Sequence, residues 1–238
     1  MDDGKAKKIE EWTRETAERL ARFEKSLPRQ MDPVAMSKSK VPFKADAYRE
    51  TLIWRATQLG LCALENFGRE RVAAAVLLTR AAVETTAALW YVRKKVSAVI
   101  ESKDLGDIDA YLMRLQFGNK QWEELPSAIN VLTFVDTVDK DIEGFRKQYD
   151  MLSEIAHPNY AGTTGLFSTM DHENILIGFG PNAQHTFNSK LSGMANLSTA
   201  LLVFERCYNE MGELMPAFVA LCERHLEQSQ AAQNGQGE

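Results

Sequence analysis

Between Val72 and Trp90 the chain carries only two charges, Arg80 and Glu84, in nineteen residues. A helix that is apolar all round must be buried on every side. The run approaches membrane-span length, but two central charges and several threonines favour the core column of a bundle. A helix is therefore expected from Arg69 to about Ile100. Arg80 and Glu84 lie one turn apart and can pair, although arginine before glutamate is the weaker order. Because a buried charge without a partner is costly, each is also expected to look across to another helix.

The rest of the chain supplies helices to surround that column. Lys5 to Leu27 is amphipathic, with Ile9, Trp12, Thr16, Leu20 and Phe23 on one stripe. Pro28, Pro33 and Pro42 then mark a loop from Pro28 to about Ala45. From Lys25 to Arg49, six basic residues (Lys25, Arg29, Lys38, Lys40, Lys44, Arg49) face two acidic ones (Asp32, Asp46). That excess makes either a phosphate-contacting patch or, more simply, a solvated linker. Asp46 reads as the N-cap of a second helix, whose stripe is Tyr48, Leu52, Ala56, Leu59 and Ala63, and Gly68 ends it.

Shorter helices are expected at Asp107–Leu115 and Ser127–Val138, with irregular chain from Phe117 to Pro126. Leu166–Met170 and Ile175–Phe179 flank Asp171-His172-Glu173-Asn174 and read as a hairpin. An isolated hairpin is marginal, so this one is expected to pack on the bundle. The last helix runs from about Asn188 to Glu227 and should kink at Pro216, leaving Gln228–Glu238 as a disordered polar tail. The fold class is all-α: a bundle of about six or seven helices, with one small hairpin at about 165–180 before the long C-terminal helix. Its parts are an N-terminal helix and basic linker over 1–45, a bundle over 46–227 and a tail over 228–238.

A net charge of -5 and a pI near 5.5 provide no global basic field for nucleic acid or acidic lipid, which lowers bulk binding without excluding a local patch. Cys62, Cys207 and Cys222 show no CxxC spacing and read as small buried hydrophobes in a reducing compartment. The first residues are charged throughout and lack the apolar core of a signal peptide, so the expectation is a cytoplasmic protein without a membrane anchor.

The stretch that carries chemistry is Asp141 to Gly162. Ile142, Phe145, Tyr149, Leu152 and Ala156 recur at helical spacing. Steps of roughly 100° place Arg146, Asp150, Ser153 and His157 along one edge of that face, with Glu154 on the far side. His157 sits on the last turn and Pro158 stops the helix. Glu154-x-x-His157 has the spacing used by di-iron bundles, but His172, His185 and His225 have no glutamate three residues before them. No metal and no cofactor are therefore expected. Ser153 lacks a nucleophile elbow, and neither GxxxxGK[ST] nor GxGxxG occurs. What remains is metal-free acid/base work by His157 with a cationic helper. A histidine at this position equally suits the helix C-terminal dipole and caps free carbonyls.

The helix with Arg80-x-x-x-Glu84 and the later Ser153-Glu154-x-x-His157-Pro158-Asn159 resemble a family of bacterial all-helical proteins. More distantly they are similar to the higher eukaryotes and prokaryotes nucleotide-binding (HEPN) superfamily, over roughly Ala47 to Gly162 plus the final helix. That resemblance implies a helical bundle, often a homodimer, and RNA or a nucleotide as ligand. It also implies metal-independent ribonuclease activity in a defence or toxin–antitoxin setting. The superfamily motif is an arginine, four to six residues, then a histidine. His157 takes the histidine's place, whereas the arginine's place falls on Asp150, Met151 or Leu152, none of them basic. The resemblance thus casts His157 as general acid/base, Arg80 as phosphate clamp from the neighbouring column and Glu84 as its orienter. Ser153, Asn159, Arg146 and Asp150 become binding residues. The competing class is a non-catalytic protein-interaction or small-ligand module, in which Arg80, Glu84 and His157 organise the core.

Overall fold

In the computed structural model, which describes residues 3–234, the apolar run is the axis of the molecule. The elements are α1 (Asp3–Ser26), α2 (Pro33–Met36), α3 (Lys40–Gly68), α4 (Val72–Ser102), α5 (Ile108–Phe117), α6 (Val131–Asp139) and α7 (Phe145–Ala156). After them come α8 (Thr164–Phe167), β1 (Ser168–Asp171), β2 (Leu176–Phe179) and α9 (Ala183–Asn234). The fold is all-α with one antiparallel hairpin. Nine helices are present among the described residues, of which α2 and α8 are single turns.

Helix α4 packs on α9, α3, α6 and α7, with α1 on the outer side of α3 and α9. Its small residues Ala75, Ala82, Ala87 and Ala88 are buried and let the surrounding helices approach closely. Its threonines satisfy themselves inside the helix. Thr79, Thr85 and Thr86 return their hydroxyls to the carbonyls of Ala75, Ala81 and Ala82 at 2.7–3.0 Å. By length and hydropathy α4 passes for a membrane span, but its apolar window is mostly buried by the other helices, as in the core column of a soluble bundle. Where α9 crosses α3 and α4, a Cβ on Gly193 would lie 2.6 Å from Phe67 Cζ, so only glycine fits this approach.

Several boundaries differ from the expectation. Helix α3 begins at Lys40, not Asp46, because Ser39 Oγ caps it by accepting from Val41 N. Pro42 lies in its first turn, where a missing N–H leaves no bond unmade. Asp32 caps α2, accepting from Val34 N and Ala35 N at 2.9 and 3.2 Å. The basic residues nearby do not form one patch: Lys44 pairs with Asp109, Arg29 lies over the Trp54 ring and Arg49 is drawn inside. Helix α6 starts at Val131, where Asn130 Oδ1 accepts from Leu132 N, and not at Ser127.

Two corrections concern the C-terminal third. Leu166 and Phe167 belong to α8, so β1 starts at Ser168, and the hairpin stands off the bundle with β2 exposed throughout. Helix α9 runs continuously through Pro216 and includes Gln228–Asn234, which were expected to be disordered. The rest of that tail lies outside the described residues. Cys207 and Cys222 are buried, which pushes both thiols up to about 12, while Cys62 is exposed.

Candidate functional site

Helix α7 is pinned at its start by its neighbours. Gly144 enters with a φ of 85°, a left-handed conformation that suits glycine. Arg146 N, one of the free first-turn donors, reaches Asp139 Oδ1 at 2.9 Å. Asp141, expected inside the helix, lies in the preceding turn and accepts from Trp90 Nε1 and Lys94 Nζ of α4. Those hydrogen bonds, Lys94's first, hold its carboxyl below the usual value. Phe145, Tyr149 and Leu152 are buried against α4 and α6. This seating turns one edge of α7 toward Arg80.

Arg80 and Glu84 pair within α4 at 3.2 Å and both reach across to α7. Arg80 Nε donates to Ser153 Oγ at 2.9 Å, and Nη2 donates to the Tyr149 hydroxyl at 2.6 Å. That hydroxyl donates to Glu84 Oε1 at 3.0 Å, and Ser153 Oγ donates to Tyr149 O at 3.0 Å. The guanidinium carbon also lies 5.0 Å from the centre of the Tyr149 ring. Burial raises the Tyr149 phenol above its ordinary value, with the Arg80 hydrogen bond opposing, so the hydroxyl is a donor at neutral pH. Arg80 is 30% exposed, and its Nη1 has no partner among the described residues. One guanidinium edge is locked and the other is open.

His157 terminates α7. Its backbone is extended and its N–H donates to Ser153 O at 3.1 Å. The side chain is exposed, and the ring has no hydrogen-bond partner among the described residues. The imidazole does not itself cap the α7 carbonyls. The chain folds back tightly behind it: a Cβ on Gly162 would lie 2.1 Å from His157 O and 2.6 Å from Ile155 O. Asn159 ties this turn, donating from Nδ2 to Glu154 Oε2 at 2.6 Å and accepting from Gly162 N at 3.2 Å.

The row of four residues foreseen along α7 therefore divides. Ser153 faces α4. Arg146 turns to the opposite flank, pairing with Asp150 at 2.9 Å and with Asp136 of α6 at 2.6 Å. Asp150 and Arg146 thus form a separate surface ion cluster, and Asn159 is a turn organiser. The residue missed was Tyr149, assigned to the apolar stripe. A tyrosine hydroxyl carried into a helix interface needs a partner, and Ser153 four residues on marks the same edge.

A second polar knot joins α3 to α9 without any sequence signal. Arg49 Nη1 donates to Asp46 Oδ1 at 2.8 Å and to Glu50 Oε1 at 2.7 Å, while Nε donates to Tyr208 O at 3.1 Å. The guanidinium lies 3.8 Å from the Tyr208 ring centre, and the Tyr208 hydroxyl donates to both Glu50 oxygens. With Nε and Nη1 committed and the guanidinium largely buried against the Tyr208 ring, this knot is a structural brace. A groove of about 360 Å³ opens beside Gly144 between α4, α7 and α9, lined by Val83, Phe145, Gln148, Asn196 and Thr199. Neither Arg80 nor His157 borders it, so the polar edge of α7 is a surface site.

Substituting Tyr149 by Phe removes the hydroxyl between Arg80 and Glu84 while keeping the ring in place. The expected loss is about 1–3 kcal/mol, read from the urea unfolding midpoint, because the remaining partners lose a half-buried bond. An unchanged midpoint would mean that Arg80 and Glu84 close the gap by themselves.

No family model, no curated protein and no solved structure matches this chain, so its reading rests on the geometry of α4 and α7.

Proposed function

We propose that the Arg80, Ser153 and His157 edge binds the phosphate of RNA or a nucleotide, in a HEPN-like protein of the bacterial cytoplasm. On this reading the protein is a metal-independent ribonuclease in a defence or toxin–antitoxin setting. The supporting observation is an exposed imidazole one turn beyond Ser153 and a guanidinium, 30% exposed, that holds the Ser153 hydroxyl; neither the imidazole nor the guanidinium Nη1 has a partner among the described residues. The free guanidinium edge takes a phosphate oxygen, while Tyr149 and Glu84 keep the side chain aimed. His157 accepts the proton of the ribose 2′-hydroxyl as that oxygen attacks phosphorus; a 2′,3′-cyclic phosphate forms, the bond to the 5′-oxygen breaks, and that oxygen takes a proton from solvent. Surface placement suits an extended strand better than an enclosed mononucleotide.

One observation favours the competing module. Glu84 neutralises Arg80, and Nε and Nη2 are already committed, as in an interhelical brace. On that reading the protein is a non-catalytic interaction or small-ligand module. Incubation with total RNA in the presence of a chelator separates the two. The first reading expects cleavage that falls by about 10²–10⁴-fold in His157→Ala, with the far-UV spectrum unchanged. Cleavage that survives the substitution removes His157 from the mechanism, and absence of both cleavage and RNA binding favours the module.

A further inference from the structure

The β1–β2 hairpin breaks two rules of stable sheets. An isolated two-stranded hairpin is marginal in water, and open edges that carry apolar side chains associate. Here Met170, Ile177 and Phe179 are all exposed, Phe179 to 89%. The register pairs Ser168 with Phe179 and Met170 with Ile177, so these four side chains share one face. A hollow of about 410 Å³, lined by Thr163, Thr164, Phe167, Ser168, Ile177 and Phe179, continues that face toward α8 and contains no charged residue.

The two edges differ. Gly180 N donates to Phe167 O at 2.9 Å, which sets the phase of the ladder: Gly178 and Leu176 point their backbone groups at β1. Ile177 and Phe179 therefore point theirs outward, where no partner exists among the described residues. On β1, by contrast, Ser168 N donates to Thr164 O, and Ser168 O accepts from Asn182 Nδ2 at 3.0 Å. The β1 edge is closed at its base, and the β2 edge is open.

We infer that β2 is the docking edge for a second copy of this chain, the two β2 strands pairing antiparallel about a two-fold axis through Gly178. This register is self-complementary. It sets Ile177 of one copy against Phe179 of the other, and the reverse, so each outward N–H meets an outward C=O. Gly178 meets itself at the axis, in the close, non-hydrogen-bonded class of pair where strands approach to about 4.5 Å. Charge also fits a self-contact. Residues Leu176 to Gly180 carry no charge, and the antiparallel arrangement sends the acidic turns, with Asp171 and Glu173, to opposite ends of the sheet. Each turn then lies beyond Gly180 and Pro181 of the other copy, so like charges do not meet. Four strands with a continuous apolar face meet the requirement that two strands fail.

The inference rests on the hairpin alone and is independent of the His157 site. Sedimentation velocity of the full chain provides the test, with far-UV circular dichroism as the fold check, since the helices carry that signal. Expected are a dimer for the unaltered chain and a monomer of unchanged helicity for Phe179→Lys. In a Cys62→Ser background, which removes the exposed thiol, Gly178→Cys is expected to form a disulfide-linked dimer on oxidation. A chain that stays monomeric up to about 100 µM, at the weak end of specific association, overturns the inference. So does a dimer that Phe179→Lys leaves intact, or a dimer in which Gly178→Cys does not cross-link.

Discussion

Phe204→Ala is expected to lower the stability of the fold by about 3–5 kcal/mol, a large part of what a domain possesses. Phe204 is fully buried on α9, a helix that packs on both α1 and α4. Its ring lies 5.7 Å from that of Phe23 on α1 and stacks on Tyr208 at 6.2 Å. Truncation leaves a cavity between α9 and α1, which a close-packed interior refills only in part. The α1 helix suffers most, because Leu20 and Phe23 are its deepest apolar anchors; the Arg19 and Arg22 bonds to Glu205 still tie it to α9. Urea unfolding followed by circular dichroism measures the effect. A midpoint shift worth less than about 1 kcal/mol would mean that the site refills by rearrangement.

Arg49→Ala is expected to cost a comparable amount, about 3–5 kcal/mol at neutral pH, and to make stability depend on pH. The guanidinium compensates Asp46 and Glu50, both largely buried, and its removal leaves two carboxylates beside the Tyr208 ring. Burial already raises the Glu50 carboxyl above its ordinary value, while the Tyr208 hydrogen bond and Arg49 oppose that rise. Without Arg49 it rises further. Between the unfolded and folded values the folded state binds more protons, so stability falls as pH increases through that window. The penalty is therefore fully present above that window and shrinks as pH falls through it, where Glu50 folds as the neutral acid. Unfolding midpoints of the variant and the parent chain across that range provide the check. A penalty that is flat with pH would assign it to lost packing and cation–π contact alone.

How far the sequence could be read depends on the range of the interaction involved. The column α4 was legible because nineteen residues with two charges demand burial over most of the run, although Ala74 and Leu77 stay exposed. Its ion pair was legible because Arg80 and Glu84 are one turn apart. The α1 stripe was legible for the same reason: Ile9, Thr16, Leu20 and Phe23 are buried as their spacing requires. The end of α7 at His157 followed from Pro158. Start points were harder. Ser39 outcompeted Asp46 as the cap of α3 because a proline in a first turn is harmless, and Asp46 went to Arg49.

The candidate site was half legible. Arg80, Glu84 and Ser153 meet, and His157 stands one turn beyond them, but Arg146 and Asp150 belong to a different surface. Helical phase put all four α7 residues within one arc. It could not say that Arg80 lies on one flank of that arc and Asp136 on the other, so that long side chains part in opposite directions. Tyr149 was hidden because a stripe position reports the ring's burial and not the direction of its hydroxyl.

By itself, then, the sequence determined what is set within a turn or two of chain: the helical class, the buried column, the hairpin's existence and the residues that stop α3 and α7. The tertiary structure alone decided which polar groups meet across helices, that Arg49 braces α3 to α9, and that the hairpin stands away from the bundle. The physical reason is one of reach. Periodicity and capping act between residues three or four apart, whereas a guanidinium chooses its carboxylate only after the helix rotations have placed both.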